Sequence, residues 1–252
     1  MAQTPDVSIV IPVYNEEESL PILTGEIEAT MADVGGSYEV LFVDDGSTDD
    51  SLEVLRGLAA ERPQLRLLRL PENSGQSAAL GLGFRAARAP VVVTLDADLQ
   101  NDPADIPRLL AELEGCDVVS GVRAERHDSW VRRVSSRIAN RVRDRVIHDG
   151  VTDVGCSLKA YRRELLRHLP AWNGMHRFLP ALVKMQGARI REIEVRHRPR
   201  VHGESKYNIR NRLWRGLADL AAVRWLQSRW IDPRLGDEVR SATAGGGAEN
   251  ER

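Results

Sequence analysis

The first 120 residues alternate between short apolar runs and stretches whose apolar residues recur at helical spacing. VSIVIPVY (7–14) is continuous and rich in β-branched residues, which predicts a strand buried on both faces. The same reading predicts strands at EVLFV (39–43), LRLLRL (65–70), VVVTL (91–95) and DVVSG (117–121). Helices are predicted between them at 17–31, 50–58, 77–87 and 103–114. Apolar strands separated by helices of this length define an α/β fold, with a mostly parallel sheet flanked by helices. In such sheets ligands collect at the carboxyl ends of the strands. The polar motifs fall there: YNEEE after the first strand, DDGSTDD after the second, PENSGQS after the third and DADLQNDP after the fourth.

The second half is less regular. An Arg-rich helix is expected at 130–146, a strand at SLKAY (157–161), short helices near 162–169 and 176–186, and a strand at REIEVRHR (191–198). A long amphipathic helix follows at 209–230, and beyond Pro233 the apolar pattern is lost. The expected division is an α/β domain at 1–208, an amphipathic helix at 209–232 and a disordered tail at 233–252.

Composition narrows the classes. At 252 residues, 42% hydrophobic and 29% charged, the chain can bury a sizeable core, and collagen-like, coiled-coil and disulfide-scaffold classes drop out. Cys116 and Cys156 cannot form a disulfide framework and are expected as buried free thiols. No apolar stretch approaches the roughly 18–20 residues that span a bilayer, and the amino terminus does not resemble a signal peptide. The expectation is a cytoplasmic chain, peripheral on the inner face of the membrane. Charge is segregated. Residues 1–60 hold thirteen Asp and Glu against one basic residue, Arg56, whereas residues 121–230 hold twenty-five Lys and Arg against ten acids. One end suits cations and the other anions. The acidic half would repel a duplex and no nucleic-acid module is present, so nucleic acid is not an expected partner.

Candidate chemistry begins at DADLQ. Asp96 and Asp98, two apart in extended chain, point the same way and can address one ligand, with Gln100 on that face. Oxygen donors on an open site suit Mg²⁺ or Mn²⁺ completed by substrate phosphates. Asp102 is the natural cap of the helix beginning at Pro103. In DDGSTDD, Gly46 permits a tight turn and Ser47 or Thr48 is expected to cap the next helix, leaving Asp44 and Asp45 without a structural role. A carboxylate there can bind a ribose hydroxyl or a base N–H. GLGFRA (81–86) matches a dinucleotide fingerprint in letters, but it lies within a helix and before a strand, so Gly81 and Gly83 are expected to permit close helix–sheet packing. Two basic clusters, Arg123/Arg126/Arg132/Arg133/Arg137 and RHRPRVHGESKYN (196–208), offer phosphate contacts.

Together these segments resemble the inverting family 2 glycosyltransferases of GT-A fold. The similarity is carried by VIPVYNEEESL (10–20), VDDGSTDDS (43–51), NSGQSAALGLG (73–83), DADLQNDP (96–103), DVGCSLKAYRR (153–163) and HGESKYN (202–208). Within the family the chain looks like the polyprenyl-phosphate sugar synthases, to which dolichyl-phosphate mannose synthase belongs. The resemblance implies that Pro12, Tyr14, Glu16 and Asp45 hold the nucleotide of a nucleotide-sugar. It implies that Asp96, Asp98 and Gln100 hold a divalent metal on the diphosphate. Arg123, Arg132 and Ser136 would address acceptor or donor phosphates, and Arg200, Ser205 and Lys206 match a late phosphate-binding loop. Asp98, Arg123, Arg132 and Asp153 form the expected catalytic set, with Asp153 either positioning the acceptor or purely structural. Gln76 stands where many relatives carry Lys, and the short loop after Arg123 leaves Arg132 and Arg133 as alternatives. Many relatives also append transmembrane helices.

The implied activity is metal-dependent transfer of a hexose, mannose or glucose, from GDP- or UDP-sugar to polyprenyl phosphate at the membrane surface. An anionic acceptor needs no strong base, consistent with motifs that hold no His–carboxylate pair. Residues 209–230, with Trp214, Trp225 and Trp230 among Arg residues, would either lie in the headgroup layer or pack on the protein's own core. Alternatives are transfer to a glycan or another lipid, and a non-catalytic membrane-associated scaffold. A homodimer or a membrane-protein partner is compatible with each.

Overall fold

The computed structural model describes residues 4–124, 143–199 and 209–231. Seven strands form one sheet: β1 (Val7–Val13), β2 (Tyr38–Asp44), β3 (Leu65–Arg69), β4 (Val91–Thr94), β5 (Val118–Arg123), β6 (Lys159–Arg162) and β7 (Ile190–Val195). Their order across the sheet is β3-β2-β1-β4-β6-β5-β7. All neighbours are parallel except β6, which runs antiparallel to both β4 and β5. Because β6 is reversed, its first residue, Lys159, sits opposite Thr94, the last residue of β4. The loop entering β6 therefore reaches the edge at which the parallel strands end.

Among the described residues, helices α1 (Leu20–Val34), α2 (Ser51–Glu61), α3 (Gln76–Ala86), α4 (Ile106–Glu112), α5 (Leu179–Met185) and α6 (Ile209–Arg229) cover the sheet. Strand alternation divides the core. Ile9, Ile11 and Val13 of β1 pack with Leu20, Leu23 and Ile27 of α1, Leu55 of α2 and Leu109 of α4. Val10 points the other way, into a second core with Leu80 and Phe84 of α3, Leu182 of α5 and Val223 of α6. Burying a side chain the size of Phe84 stabilises by about 2–3 kcal/mol.

The strands and major helices lie close to their predicted places, with informative shifts. The helix predicted at 103–114 is a 3₁₀ turn, then α4, then a second 3₁₀ turn. Residues 162–169 contain only a 3₁₀ turn at Arg163–Leu165, and Met185 ends a short α5 preceded by the 3₁₀ turn Met175–Phe178. Residues 143–147 are helical; the rest of the helix expected at 130–146, and the tail at 233–252, lie outside the described residues. Gly83 packs as expected: a Cβ there would fall 2.3 Å from Val10 Cγ1, so only glycine lets α3 settle this deeply on β1. Gly81 does not, because a Cβ there would meet Arg85 Nη1 at 3.6 Å and Met175 Cε at 3.7 Å, ordinary contacts away from the sheet. Both cysteines are buried and free.

Candidate active site at the carboxyl edge of the sheet

Pro12 lies in β1 opposite Val43, and Tyr14 and Glu16 follow in the loop leaving the strand. That loop is laced to the one leaving β2. Asn15, with φ 55°, donates its N–H to Ser47 Oγ at 3.0 Å and accepts the Thr48 N–H at 2.8 Å, while the Glu16 N–H reaches Ser51 Oγ at 2.9 Å. Ser47 and Thr48 are thus engaged with Asn15 instead of capping α2, whose N-cap is Asp50, without a side-chain cap bond. Gly46 is the tight turn expected: at φ 69°, a Cβ would lie 2.7 Å from the Asn73 nitrogen.

Asp44 and Asp45 each have a structural role that sequence did not reveal. Asp44 is fully buried; Oδ1 accepts the Ser47 N–H at 3.0 Å and Oδ2 lies 3.4 Å from Arg69 Nε. Asp45, 3% exposed, accepts the Ser74 N–H at 2.8 Å and the Gly75 N–H at 3.1 and 2.9 Å on its two oxygens. Burial, with a smaller push from the neighbouring Asp44, raises the Asp45 carboxyl above its ordinary range even though those N–H groups pull it down.

Beyond Thr94 the chain leaves the sheet. Asp98 and Gln100 are not in extended chain, as sequence had suggested: Leu99 turns at φ 61° and Asp98 Oδ1 accepts the Gln100 N–H at 3.2 Å. A short polar side chain closes this turn on its own backbone, which competes with strand continuation. Asp98 is 5% exposed. Asp96 is fixed at two points, its N–H on Asn101 Oδ1 at 3.3 Å and its Oδ1 accepting from Gln76 Nε2 at 2.8 Å. Asn101 Oδ1 also accepts from Ser157 Oγ at 2.6 Å, tying this turn to the chain entering β6. Asp102 accepts the Ala104 N–H at 3.0 Å, the cap expected of it.

Two carboxylates and an amide side chain are hard oxygen donors. Among the described residues no cluster of three His, Cys, Asp or Glu side chains could hold a metal alone. Such a sparse donor set fits Mg²⁺ or Mn²⁺, ions that keep waters and take substrate phosphate oxygens, better than it fits an all-protein cage.

Across the edge, Arg123 at the end of β5 forms a two-pronged pair with Asp153: Nε to Oδ2 and Nη2 to Oδ1, both 2.8 Å, with the Arg123 N–H also on Oδ2 at 3.2 Å. Asp153 is 1% exposed and its own loop is held by Glu192 of β7, which accepts from Thr152 and Asp153 N–H groups at 2.8 and 3.3 Å. Sequence reasoning missed Lys159. It is buried at the start of β6 and donates to the Val154 carbonyl at 3.3 Å. Burial lowers its pKa, while Cys156, Asp153 and Asp96 hold the ammonium on and Arg123 opposes it. Lys159 is therefore within electrostatic reach of both carboxylate groups and of the guanidinium. The available signal was a lysine inside a short strand otherwise composed for burial.

The basic clusters divide. Arg196 and Arg198, expected to bind phosphate, are occupied within the protein: Arg196 Nη1 lies 3.2 Å from Asp102, and Arg198 bridges Glu26 at 2.7 Å and Asp102 at 2.9 Å. Arg126, Arg132, Arg133, Ser136, Arg137, Arg200, Ser205 and Lys206 lie outside the described residues.

This arrangement matches a known family. Residues 8–169, more than half of the chain, fit the model for glycosyl transferase family 2, and the chain belongs to that family. Its fold is GT-A. Glucosyl-3-phosphoglycerate synthase from Mycobacterium tuberculosis, in complex with Mn²⁺, UDP and phosphoglyceric acid, superposes with a TM-score of 0.67 at 20% identity, covering 91% of this chain and 80% of that one. A mannosyltransferase from Pyrobaculum calidifontis in complex with GDP-Man and Mn²⁺ gives 0.62 at 22% identity, covering 92% and 66%. Among curated proteins, the chain is similar to undecaprenyl-phosphate 4-deoxy-4-formamido-L-arabinose transferases. It is 43% identical over 205 residues to that of Aeromonas hydrophila, with 81% of this chain and 63% of the relative covered. To that of Pseudomonas aeruginosa strain LESB58 it is 45% identical over 205 residues, with 80% and 60% covered. The match therefore spans less than two thirds of the length of these relatives.

Proposed function

We propose that the chain transfers a sugar from a nucleotide-sugar to polyprenyl phosphate, with inversion at the anomeric carbon. The observation that carries this reading is the Arg123–Asp153 pair. A sugar hydroxyl acceptor would need a base to take its proton, but Asp153 is held by three N–H groups of one arginine and serves to aim that arginine. A phosphate acceptor is already anionic near neutral pH and needs an oriented guanidinium instead. Arg123 meets that need, with Arg132, Ser136, Arg200, Ser205 and Lys206 as further phosphate contacts.

On the donor side, Pro12, Tyr14, Glu16 and the Asp45-held loop would flank the nucleotide, and Asp96, Asp98 and Gln100 would hold a divalent cation. A bound Mg²⁺ or Mn²⁺ would supply positive charge for the departing nucleoside diphosphate. Lys159, buried at the start of β6, offsets part of the charge of Asp96 and Asp153.

The acceptor's apolar tail places the work at a membrane surface. Among the described residues no helix is long and apolar enough to cross a membrane. In α6, Leu220 and Val223 pack on the core while Leu217 and Trp225 are exposed, the latter by 64%, so the helix both seats on the protein and offers apolar side chains outward. Trp225 borders an open apolar groove with Trp172 and Pro170.

Sequence pointed to mannose or glucose; the relatives are named for a modified arabinose. The test supplies radiolabelled GDP-mannose, UDP-glucose and nucleotide-linked 4-deoxy-4-formamido-L-arabinose, with and without undecaprenyl phosphate and Mn²⁺. A lipid-extractable glycosyl phosphate from one donor is expected, lost in Asp98→Ala. Product on a glycan acceptor alone, or no product from any donor, overturns the assignment.

A further inference from the structure

We propose that Gln76 is a positioning residue for the cation-binding carboxylates, fixing the plane of Asp96 through a neutral amide hydrogen bond. The inference rests on the metal site proposed above. Gln76 is the first residue of α3, and its Nε2 donates to Asp96 Oδ1 at 2.8 Å. The residues on either side are anchored elsewhere. Gly75 donates to both oxygens of Asp45. Ser77 Oγ accepts the Gly174 N–H at 3.0 Å and the His176 N–H at 3.4 Å, and lies 2.8 Å from His176 Nδ1. Further along the helix, Gly83 seats against Val10. With the positions before and after it tied to two separate loops, and Gly83 seated against Val10, the start of α3 is held from several sides and the amide at position 76 lies on Asp96.

The terminal torsion of an aspartate is broad and roughly two-fold, so an untethered carboxylate must be ordered when a cation binds. A hydrogen bond to one oxygen removes that freedom beforehand. Partners that orient a ligating carboxylate typically change metal affinity 10–100-fold when removed. The donor's neutrality matters as well. An ammonium at the same place would also hold Asp96, but would set a positive charge within hydrogen-bond distance of a carboxylate meant for a cation.

The test is Mn²⁺ binding to the chain with UDP or GDP present to complete the coordination, read by water proton relaxation enhancement, which separates protein-bound Mn²⁺ from the Mn²⁺–nucleotide complex. Gln76→Met keeps the length and helix preference of the side chain and removes the donor; Gln76→Ala removes both. Each is expected to weaken Mn²⁺ binding about tenfold, with the melting temperature of the metal-free chain unchanged. Gln76→Lys is expected to bind more weakly than Gln76→Met. Wild-type affinity in Gln76→Met overturns the proposal, as does a fall in melting temperature with affinity intact, which would mark the bond as merely structural. If the wild-type chain binds no Mn²⁺, the metal site itself fails and the inference falls with it, a result distinct from equal binding by wild type and variants.

Discussion

The two ends of the sheet's carboxyl edge are held by different forces. Around β1, β2 and β3, the loops are tied mainly by N–H and hydroxyl donors, Asn15 with Ser47 and Thr48, Glu16 with Ser51, Asp45 with Ser74 and Gly75, alongside the Asp44–Arg69 ion pair. Around β5 and β7 the ties are between formal charges: Arg123 with Asp153, Arg196 with Asp102, Arg198 with Glu26 and Asp102. A lattice of neutral donors keeps its shape whatever ionic species arrives. An ion pair of this kind presents a guanidinium, the group that also grips phosphate. On the function proposed above, the first region would hold the donor nucleotide in a fixed pose and the second would receive and release anions.

The sharpest way to break this contrast is Asp153→Asn. It preserves shape but removes the charge that aims Arg123, and turnover is expected to fall on the order of a hundredfold, measured as kcat with donor and polyprenyl phosphate saturating. Wild-type turnover would show that the pair is only structural. Next comes a control outside both regions: Gly83→Ala should cost about 1–3 kcal/mol of stability in urea unfolding, because the added methyl meets Val10 with no room to yield. Asp45→Ala strands the Ser74 and Gly75 N–H groups and should cost about 1–2 kcal/mol. That loss should not change when salt is raised, in contrast to the salt-sensitive behaviour of the Arg123 side.

The smallest expected effect is in pH. Burial pushes Glu39 up, but bonds from Ser8, Arg66 and Arg88 outweigh it and leave the carboxyl below its ordinary value. Its contribution to stability is therefore present above the unfolded-chain pKa and is lost as pH falls through the lowered one. Asp45 is raised, so its titration favours the fold at low pH and that gain is lost as pH rises through the raised value. The stability difference between wild type and Glu39→Gln should shrink on acidification, while that for Asp45→Asn should move the opposite way.

What was legible in sequence was local. The apolar runs predicted the strands, the G-x-G inside a helix pointed to close packing, and Asp102 stood where a cap was needed. What was not legible depended on partners far along the chain. Asp45 looked unemployed because its donors, Ser74 and Gly75, come 29 and 30 residues later. Arg198 looked available to phosphate because Glu26 lies 172 residues before it. Asp96 and Asp98 stood out by type and position, but the extended geometry assumed for them gave way to a turn closed by Asp98 itself. Lys159 was hidden because periodicity marks a strand without saying which way it runs.

That direction has a consequence for how such a protein can change. Six strands send their outgoing loops to the working edge, and β6 alone sends its incoming one. The chain that precedes Lys159 therefore enters at the rim to which the parallel strands send their outgoing loops, while the residues directly after Arg162 emerge at the far rim. One reversed strand thus brings an incoming loop to that rim, and the tie from Ser157 to Asn101 makes any recoding of the loop felt at Asp96.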